Sequence, residues 1–148
     1  MIVFFIRILY PLAIGVLRIY WFIFRPKTRG ARCIVRFKDK ILFIRHSYGS
    51  GFWNIPGGGA KKKETFEQAV IREVREEVGI VVKEVKKIGS FVSNKEYKID
   101  QTELFLADVD SEYYKIDNIE IVEACWARLD EIPKPHGSNL EEMLSHIK

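Results

Sequence analysis

The sequence predicts one layered domain of mixed α/β (α+β) class, with a mixed β-sheet and an apolar N-terminal helix before it. The chain has 148 residues, which suits one domain with a single core. Strand-like apolar runs accompany one strongly amphipathic central helix, a pattern typical of layered α/β domains. The first 24 residues are far more apolar than those that follow. The overall content, 47% apolar and 30% charged, is that of a globular protein.

The N-terminal segment, MIVFFIRILYPLAIGVLRIYWFIF, predicts an apolar helix with a narrow basic stripe. Arg7, Arg18 and Arg25 lie within about 20° of one another at 100° per residue. Such a helix suits a membrane interface, with its arginines at the lipid headgroups. Packing on its own domain or on a second copy of the chain is the open alternative. A cleaved signal peptide is not expected, because no basic region precedes the apolar run and no small-residue cleavage site follows it.

The net charge of +4 arises from the N-terminal segment. Residues 1–30 contain five basic and no acidic side chains, so the remaining chain holds 19 basic against 20 acidic groups. A nearly neutral domain does not indicate a nucleic-acid surface, and DNA is not an expected partner. Cys33 and Cys125 have no C-x-x-C spacing, which argues against a disulfide framework or a zinc cluster and favours the cytoplasm.

The Pro and Gly residues at 25–30 predict a linker, so we divide the chain into an N-terminal helix and linker, 1–30, and a domain, 31–148. Strands are predicted over 31–37, 41–46, 52–55, 85–93, 97–109 and 119–127. Residues 56–59 predict a glycine loop. A helical turn is expected at 130–132, and a C-terminal helix over 138–148 with Ser138 as its N-cap.

Residues 65–78 are the clearest helix in the sequence. Thr65 is a favourable N-cap, Gln68 completes a T-x-x-Q capping box, and Gly79 ends the helix. Its apolar stripe has i, i+4 spacing and consists of Phe66, Val70, Val74 and Val78.

Three carboxylates of this helix, Glu73, Glu76 and Glu77, span about 100° of its circumference beside the apolar stripe. Like charges at this spacing repel one another unless a cation lies among them. Carboxylate oxygens suit Mg²⁺ or Mn²⁺, and the lack of nearby His or Cys argues against zinc. The open alternative from these three residues alone is a solvated acidic face paired with Arg72 and Arg75.

A longer motif surrounds the acidic triplet. The spacing G-x5-E-x7-R-E-U-x-E-E-x-G-U, where U is a bulky aliphatic residue, is met by Gly58, Glu64, Arg72, Glu73, Val74, Glu76, Glu77, Gly79 and Ile80. This stretch resembles the Nudix box at every defining position. The flanking W-x-x-P-G-G at 53–58 and E-x-x-W at 123–126 also resemble the framework of that family. Independently of the family, Gly57 and Gly58 would let the backbone approach a metal or phosphate closely.

The resemblance implies an α/β/α sandwich and an enzyme that hydrolyses the pyrophosphate bond of a nucleoside diphosphate linked to another moiety, by attack of water activated by Mg²⁺ or Mn²⁺. It implies Glu73 and Glu77 as direct metal ligands, with Glu76 and the Gly58 carbonyl as further ligands. Glu76 and Glu73 are general-base candidates within the box, whereas Glu120 and Glu123 are candidates outside it. Arg72 would hold Glu64 or the ligand carboxylates in place.

Substrate contacts are expected from the loops around the box. The residues assigned to them are Arg45, Lys61, Lys62, Lys63, Gly57 and Gly59. The three lysines would meet phosphates as point charges, or else form a solvated turn. A tyrosine near position 97 accompanies dinucleoside polyphosphate substrates in the family, although a single tyrosine such as Tyr97 more often packs in a core or on a sheet. The histidines show no metal-binding spacing and receive no role.

Two other functional classes fit the sequence less well. A non-catalytic nucleotide sensor with the same fold would tend to lose box carboxylates, and all are present here. An isomerase of the same fold has little support, because no cysteine lies in a loop near the acidic residues. The expected partners are therefore a small nucleoside diphosphate derivative, a membrane surface contacted through residues 1–24, and a second copy of the chain as a homo-oligomer. The expected location is the cytoplasm, peripheral to the inner face of the cell membrane.

Overall fold

The computed structural model describes residues 2–24, 26–93, 99–116 and 118–147, with residues 2–9 and 12 described by backbone alone. The predicted roles of Arg25 and Tyr97, and of the Arg7 side chain, therefore lie outside the described parts. The helices are α1 (Ile2–Phe24), α2 (Phe66–Val78) and α3 (Ser138–Leu144), and a 3₁₀ turn (Ser145–Ile147) follows α3. The strands are β1 (Lys27–Phe37), β2 (Lys40–His46), β3 (Trp53–Asn54), β4 (Gly57–Gly59), β5 (Lys86–Ser93), β6 (Ile99–Asp108) and β7 (Ile121–Arg128).

The strands form one mixed sheet, as predicted. Its main order is β3-β2-β1-β6-β5, while β4 pairs with β1 and β7 pairs with β2. Strands β1 and β6 run parallel from the pair Lys27–Ile99 to the pair Arg36–Asp108. The other named pairs are antiparallel. Strand β1 pairs with β4 along its first half and with β2 only at its C-terminal end. The glycine strand β4 is therefore hydrogen-bonded directly to the central strand β1.

Two apolar layers cover the two faces of this sheet. The layer under α2 contains Val70, Val74 and Val78 of the helix together with Leu42 and Ile44 of β2. The layer under α3 contains Leu140 and Leu144 together with Ile41 and Phe43. Alternate residues of β2 thus point to opposite faces, as a strand with both faces buried requires. The arrangement confirms the expected α/β/α sandwich.

Three local predictions were wrong. Strand β1 begins at Lys27, four residues before the predicted start, because residues 27–30 pair with Ile99–Thr102 of β6. Residues 57–59 are not a loop but strand β4, which pairs antiparallel with Gly30, Ala31 and Arg32 of β1. Ser138 is the first residue of α3 rather than its cap. The N-cap is Gly137, with no side-chain capping hydrogen bond.

The middle of helix α1 contacts the domain, and much of the second half of the helix is exposed. The Tyr10 ring lies with its centroid 5.0 Å from that of Tyr48. Further along, Ile19, Ile23 and Phe24 are exposed. In the described part of the chain, no helix combines the length and hydropathy needed to cross a membrane.

Candidate active site

The capping groups of α2 fix where its acidic residues lie. The backbone N–H of Gln68 donates to Thr65 Oγ1 at 3.1 Å, and the backbone N–H of Thr65 donates to Gln68 Oε1 at 3.0 Å. Gly79 ends the helix with φ +67°, a left-handed conformation that glycine adopts without strain. The predicted capping box and C-cap are therefore confirmed. With Val74 buried, the carboxylates of Glu73 and Glu76 lie along the border of the packed face.

Arg72 is the centre of the site. Its guanidinium donates to Glu64 Oε1 at 2.8 Å and Oε2 at 2.9 Å, to Glu73 Oε1 at 2.7 Å and to Glu76 Oε2 at 3.0 Å. It also donates to the Gly59 carbonyl oxygen at 3.0 Å. Only 14% of the Arg72 side chain is exposed. The Arg72 guanidinium therefore links three carboxylates of the box to strand β4. We call Arg72, Glu64, Glu73 and Glu76 the Arg72 cluster.

These contacts alter the acidity of the partners. Hydrogen bonds from Arg72, and then from the Lys61 backbone N–H, lower the pKa of Glu64 to about 2. The same pairing with Glu64 raises the pKa of Arg72 above its ordinary value. Both groups are consequently ionised at neutral pH, and the pair is fixed by charge-assisted hydrogen bonds.

Glu77 differs from its neighbours because it is buried. Its side chain is 4% exposed, and its Oε2 accepts a hydrogen bond from the Gly57 backbone N–H at 2.9 Å. Burial raises the pKa of Glu77 to about 8, outweighing that hydrogen bond. The site thus stabilises the Glu77 carboxylate poorly unless a positive charge is added, which is the condition that a divalent cation would satisfy.

Strand β4 brings glycine backbone against α2. A Cβ on Gly58 would lie 2.7 Å from the Glu73 carboxyl group. A Cβ on Gly57, whose φ is +142°, would lie 2.2 Å from the Ala31 carbonyl oxygen. Neither position accommodates a side chain without displacement. The glycine backbone thus approaches Glu73 and β1 closely, while its approach to a metal or phosphate stays a prediction.

The donor set matches a hard cation in its chemistry. Carboxylates of Glu73, Glu76 and Glu77 and the β4 carbonyls are all oxygen ligands of the kind Mg²⁺ and Mn²⁺ prefer. Over the described residues, however, no three acidic, imidazole or thiol side chains are grouped in a ready metal-binding arrangement. Two of the expected ligands, Glu73 and Glu76, are instead hydrogen-bonded to Arg72.

The two general-base candidates outside the box occupy different places. The negative charge of Glu120 contributes to raising the pKa of both Glu77 and Tyr48, so Glu120 lies near the site. Glu123 forms an ion pair with Arg45. Arg45 also lies over the Trp53 ring, 5.8 Å from its centroid. The structure therefore groups Arg45 with Glu123 and Trp53, and does not bring it among the carboxylates of α2.

The lysines lie at the entrance of α2. Lys61, Lys62 and Lys63 are exposed in the turn that precedes Thr65. The Lys61 backbone N–H donates to Glu64 Oε2 at 3.0 Å, which orders this turn beside the Arg72 cluster.

Two residues near the carboxylates were not predicted. His46 Nε2 lies 3.9 Å from Glu77 Oε1, and the His46 ring is 5.1 Å from that of Tyr48. The available signal was strand alternation, since His46 follows Leu42 and Ile44 on the face of β2 that packs under α2. No motif marked Tyr48, which follows the end of β2.

Comparison with known proteins decides the family. A NUDIX domain family model matches residues 26–147. The chain belongs to the Nudix family. Solved Nudix structures have the same fold: the MutT NUDIX hydrolase from Burkholderia pseudomallei has a TM-score of 0.75 at 22% identity, and covers 82% of this chain and 98% of its own. The NUDIX domain of Shewanella oneidensis NrtR complexed with ADP ribose has a TM-score of 0.72 at 18% identity, and covers 84% of this chain and 88% of its own.

Curated relatives of this Nudix chain are closer in sequence. The NAD-capped RNA hydrolase NudC of Salmonella heidelberg (strain SL476) is 38% identical over 109 residues, which are 70% of this chain and 41% of the relative. The enzyme of the same name from Escherichia coli (strain SMS-3-5 / SECEC) is 37% identical over the same length. The chain thus spans about two fifths of the length of these relatives.

Proposed function

We propose that this Nudix domain hydrolyses the pyrophosphate bond of a nucleoside diphosphate linked to another moiety, with Mg²⁺ or Mn²⁺ as cofactor. The observation that carries the proposal is the Arg72 cluster. One guanidinium holds Glu64, Glu73 and Glu76 next to the buried Glu77. Every charged position of the box takes part in this arrangement, which favours a catalytic domain over a non-catalytic sensor.

Each residue receives a role from its place in the cluster. Glu73 and Glu77, with Glu76 and the Gly58 carbonyl, would hold the cations. Bound cations would neutralise the diphosphate and lower the pKa of the attacking water. The Glu76 side chain is 52% exposed, and it is therefore the most accessible group of the cluster for accepting a proton from that water. Arg72 and Glu64 position the other carboxylates.

The comparisons favour an ADP-containing substrate. The NudC relatives are named NAD-capped RNA hydrolases, and the NrtR domain was solved with ADP ribose. NAD and ADP ribose share an adenosine diphosphate joined to a second ribose. Such a ligand would place its diphosphate at the carboxylates, within reach of the exposed Lys61, Lys62 and Lys63, and its nucleoside away from them. We place this activity in the cytoplasm.

We also propose that the second half of α1 contacts the inner face of the cell membrane. Ile19, Ile23 and Phe24 are exposed, and residues 1–30 carry five basic and no acidic side chains. An anionic lipid surface complements that combination of apolar area and positive charge.

A substrate screen tests the hydrolase directly. The full chain is incubated with NAD, ADP ribose, a diadenosine polyphosphate, nucleoside triphosphates and NAD-capped RNA, with Mg²⁺ and with Mn²⁺, and products are separated by chromatography. We expect AMP and ribose 5-phosphate from ADP ribose. Glu76→Gln should lower kcat by about 10²-fold or more, whereas Glu67→Gln, an exposed change in the first turn of α2, should not. Binding of ADP ribose without turnover in any condition would instead support the sensor.

A further inference from the structure

A cleft lies beside the Arg72 cluster, between α1, the loop that follows β2, and the start of α3. Its volume is about 470 Å³, within the range of about 300–1,000 Å³ found for small-molecule sites. The side chains that define its character are Tyr10, His46, Tyr48, Phe52, Trp53 and Asn139.

A row of rings connects this cleft to the carboxylates. The Tyr10 and Tyr48 rings are 5.0 Å apart at 31°, and the Tyr48 and His46 rings are 5.1 Å apart at 35°. His46 Nε2 is 3.9 Å from Glu77 Oε1. A ligand with its diphosphate at Glu77 would therefore extend its next group along the row, toward α1.

The lining matches a neutral planar ring better than a second phosphate. Among the described residues that line the cleft, none is Asp, Glu, Lys or Arg. The aromatic side chains share the lining with Asn54 and Asn139. Asn54 Oδ1 accepts a hydrogen bond from the Ile55 backbone N–H at 2.9 Å, and the Asn139 amide can pair with the polar edge of a base. Burial, together with Glu120 and Glu77, raises the pKa of Tyr48 to about 12, so its hydroxyl stays neutral and able to donate.

We propose that the cleft binds the base of the nucleoside and that α1 supplies one wall of it through Tyr10, with Tyr48 as its partner. This proposal rests on the proposed function, since it assigns the nucleoside end of that substrate. Tyr10 lies outside the matched NUDIX domain, which begins at residue 26. The N-terminal helix is thus a specificity-determining element that lies outside the matched domain.

The test compares two products of the same reaction, one with a base and one without. Inhibition constants for AMP and for ribose 5-phosphate are measured during ADP ribose hydrolysis by the full chain. In Tyr10→Leu, we expect the constant for AMP and the KM for ADP ribose to rise about 5- to 100-fold, the range for loss of one stacking side chain. The constant for ribose 5-phosphate and kcat should stay within about twofold.

Two controls separate stacking from support of the fold. Tyr10→Phe keeps the ring and should retain the AMP constant. Tyr20→Leu removes an exposed ring from the same helix, away from the cleft, and should change neither constant. The proposal is overturned if Tyr10→Leu leaves the ratio of the AMP and ribose 5-phosphate constants unchanged, or weakens both ligands equally.

The same variants test the base-binding cleft separately from the proposed hydrolase activity. If the wild type hydrolyses none of the substrates, the hydrolase proposal fails, and calorimetric titration with AMP and with ribose 5-phosphate still tests the cleft. Selective loss of AMP binding in Tyr10→Leu would then support it. Equal AMP affinity in the wild type and in Tyr10→Leu would refute it.

Discussion

Arg72 and Glu64 are joined by two hydrogen bonds, Nε to Oε1 and Nη2 to Oε2, in the forked geometry that only an arginine can offer a carboxylate. Glu64 thereby sets the plane of the guanidinium, and the remaining N–H groups reach Glu73, Glu76 and the Gly59 carbonyl. Glu64 thus acts on the carboxylates of α2 through Arg72.

Arg72→Lys should impair catalysis while leaving the fold in place. A lysine keeps the charge but cannot make the fork, so Glu73 and Glu76 lose their fixed positions. We expect kcat for ADP ribose to fall about 10- to 100-fold, the usual cost of losing a group that orients metal ligands, with the thermal midpoint within a few degrees. Arg75→Lys, an exposed change one turn away, is the matched control. Equal kcat in the two variants would contradict the role given to Arg72.

The Glu64–Arg72 pair should make the folded chain less stable as the pH falls through the acid range. The pKa of Glu64 is about 2 in the folded chain and 4.5 ordinarily. Between these values the unfolded chain holds more protons, so lowering the pH favours unfolding. Glu64→Gln should therefore lower the urea midpoint at pH 7, and the difference from wild type should shrink as the pH falls below about 4.5. Glu67→Gln serves as the exposed control. A difference independent of pH would refute the pairing.

Gly57 and Gly58, two of the three glycines of β4, should respond differently to substitution by alanine. In Gly57→Ala the new Cβ meets the Ala31 backbone, which cannot yield easily, so we expect a loss of about 3 kcal/mol in the free energy of unfolding. In Gly58→Ala the Cβ meets the end of the Glu73 side chain, which can rotate away. Stability should then change little, while turnover falls at least about 10-fold because the Glu73 carboxylate leaves its place. Chemical denaturation and steady-state kinetics of both variants check this.

Helix α1 should bind anionic vesicles through its second half. The full chain is expected to co-sediment with phosphatidylserine vesicles, less so at high salt. Ile19→Glu combined with Ile23→Glu should abolish most of the binding, because two charges enter the exposed apolar surface. Val81→Glu, exposed in the loop after α2, should bind as the wild type does. Recovery of the wild type in the supernatant at every lipid concentration would exclude this contact.

The sequence predicted best what depends on neighbouring residues. Thr65, Gln68 and Gly79 act within one or two turns of α2, so their spacing was sufficient to place the helix and its carboxylates. The start of β1 and the strand nature of residues 57–59 depend on partners that are distant in the chain, such as Ile99. The local sequence pattern does not predict which distant residues will pair.

The same limit explains what was missed at the site. His46 comes near Glu77 because β2 passes beneath α2. Tyr10 comes near Tyr48 because α1 folds back on the loop after β2. Neither approach has a signature in residue spacing. The box could be recognised in one stretch of sequence, whereas the cleft beside it is assembled from α1, the loop after β2, and α3.

The parallel ladder between β1 and β6 has a kinetic consequence. Its partners lie about 70 residues apart in sequence, so a large segment must close before the centre of the sheet can form. Helix α2 depends on local contacts, and β4 pairs with residues of β1 that lie only 25 to 29 positions before it. The carboxylates of α2 can therefore meet the glycine backbone before the parallel ladder closes.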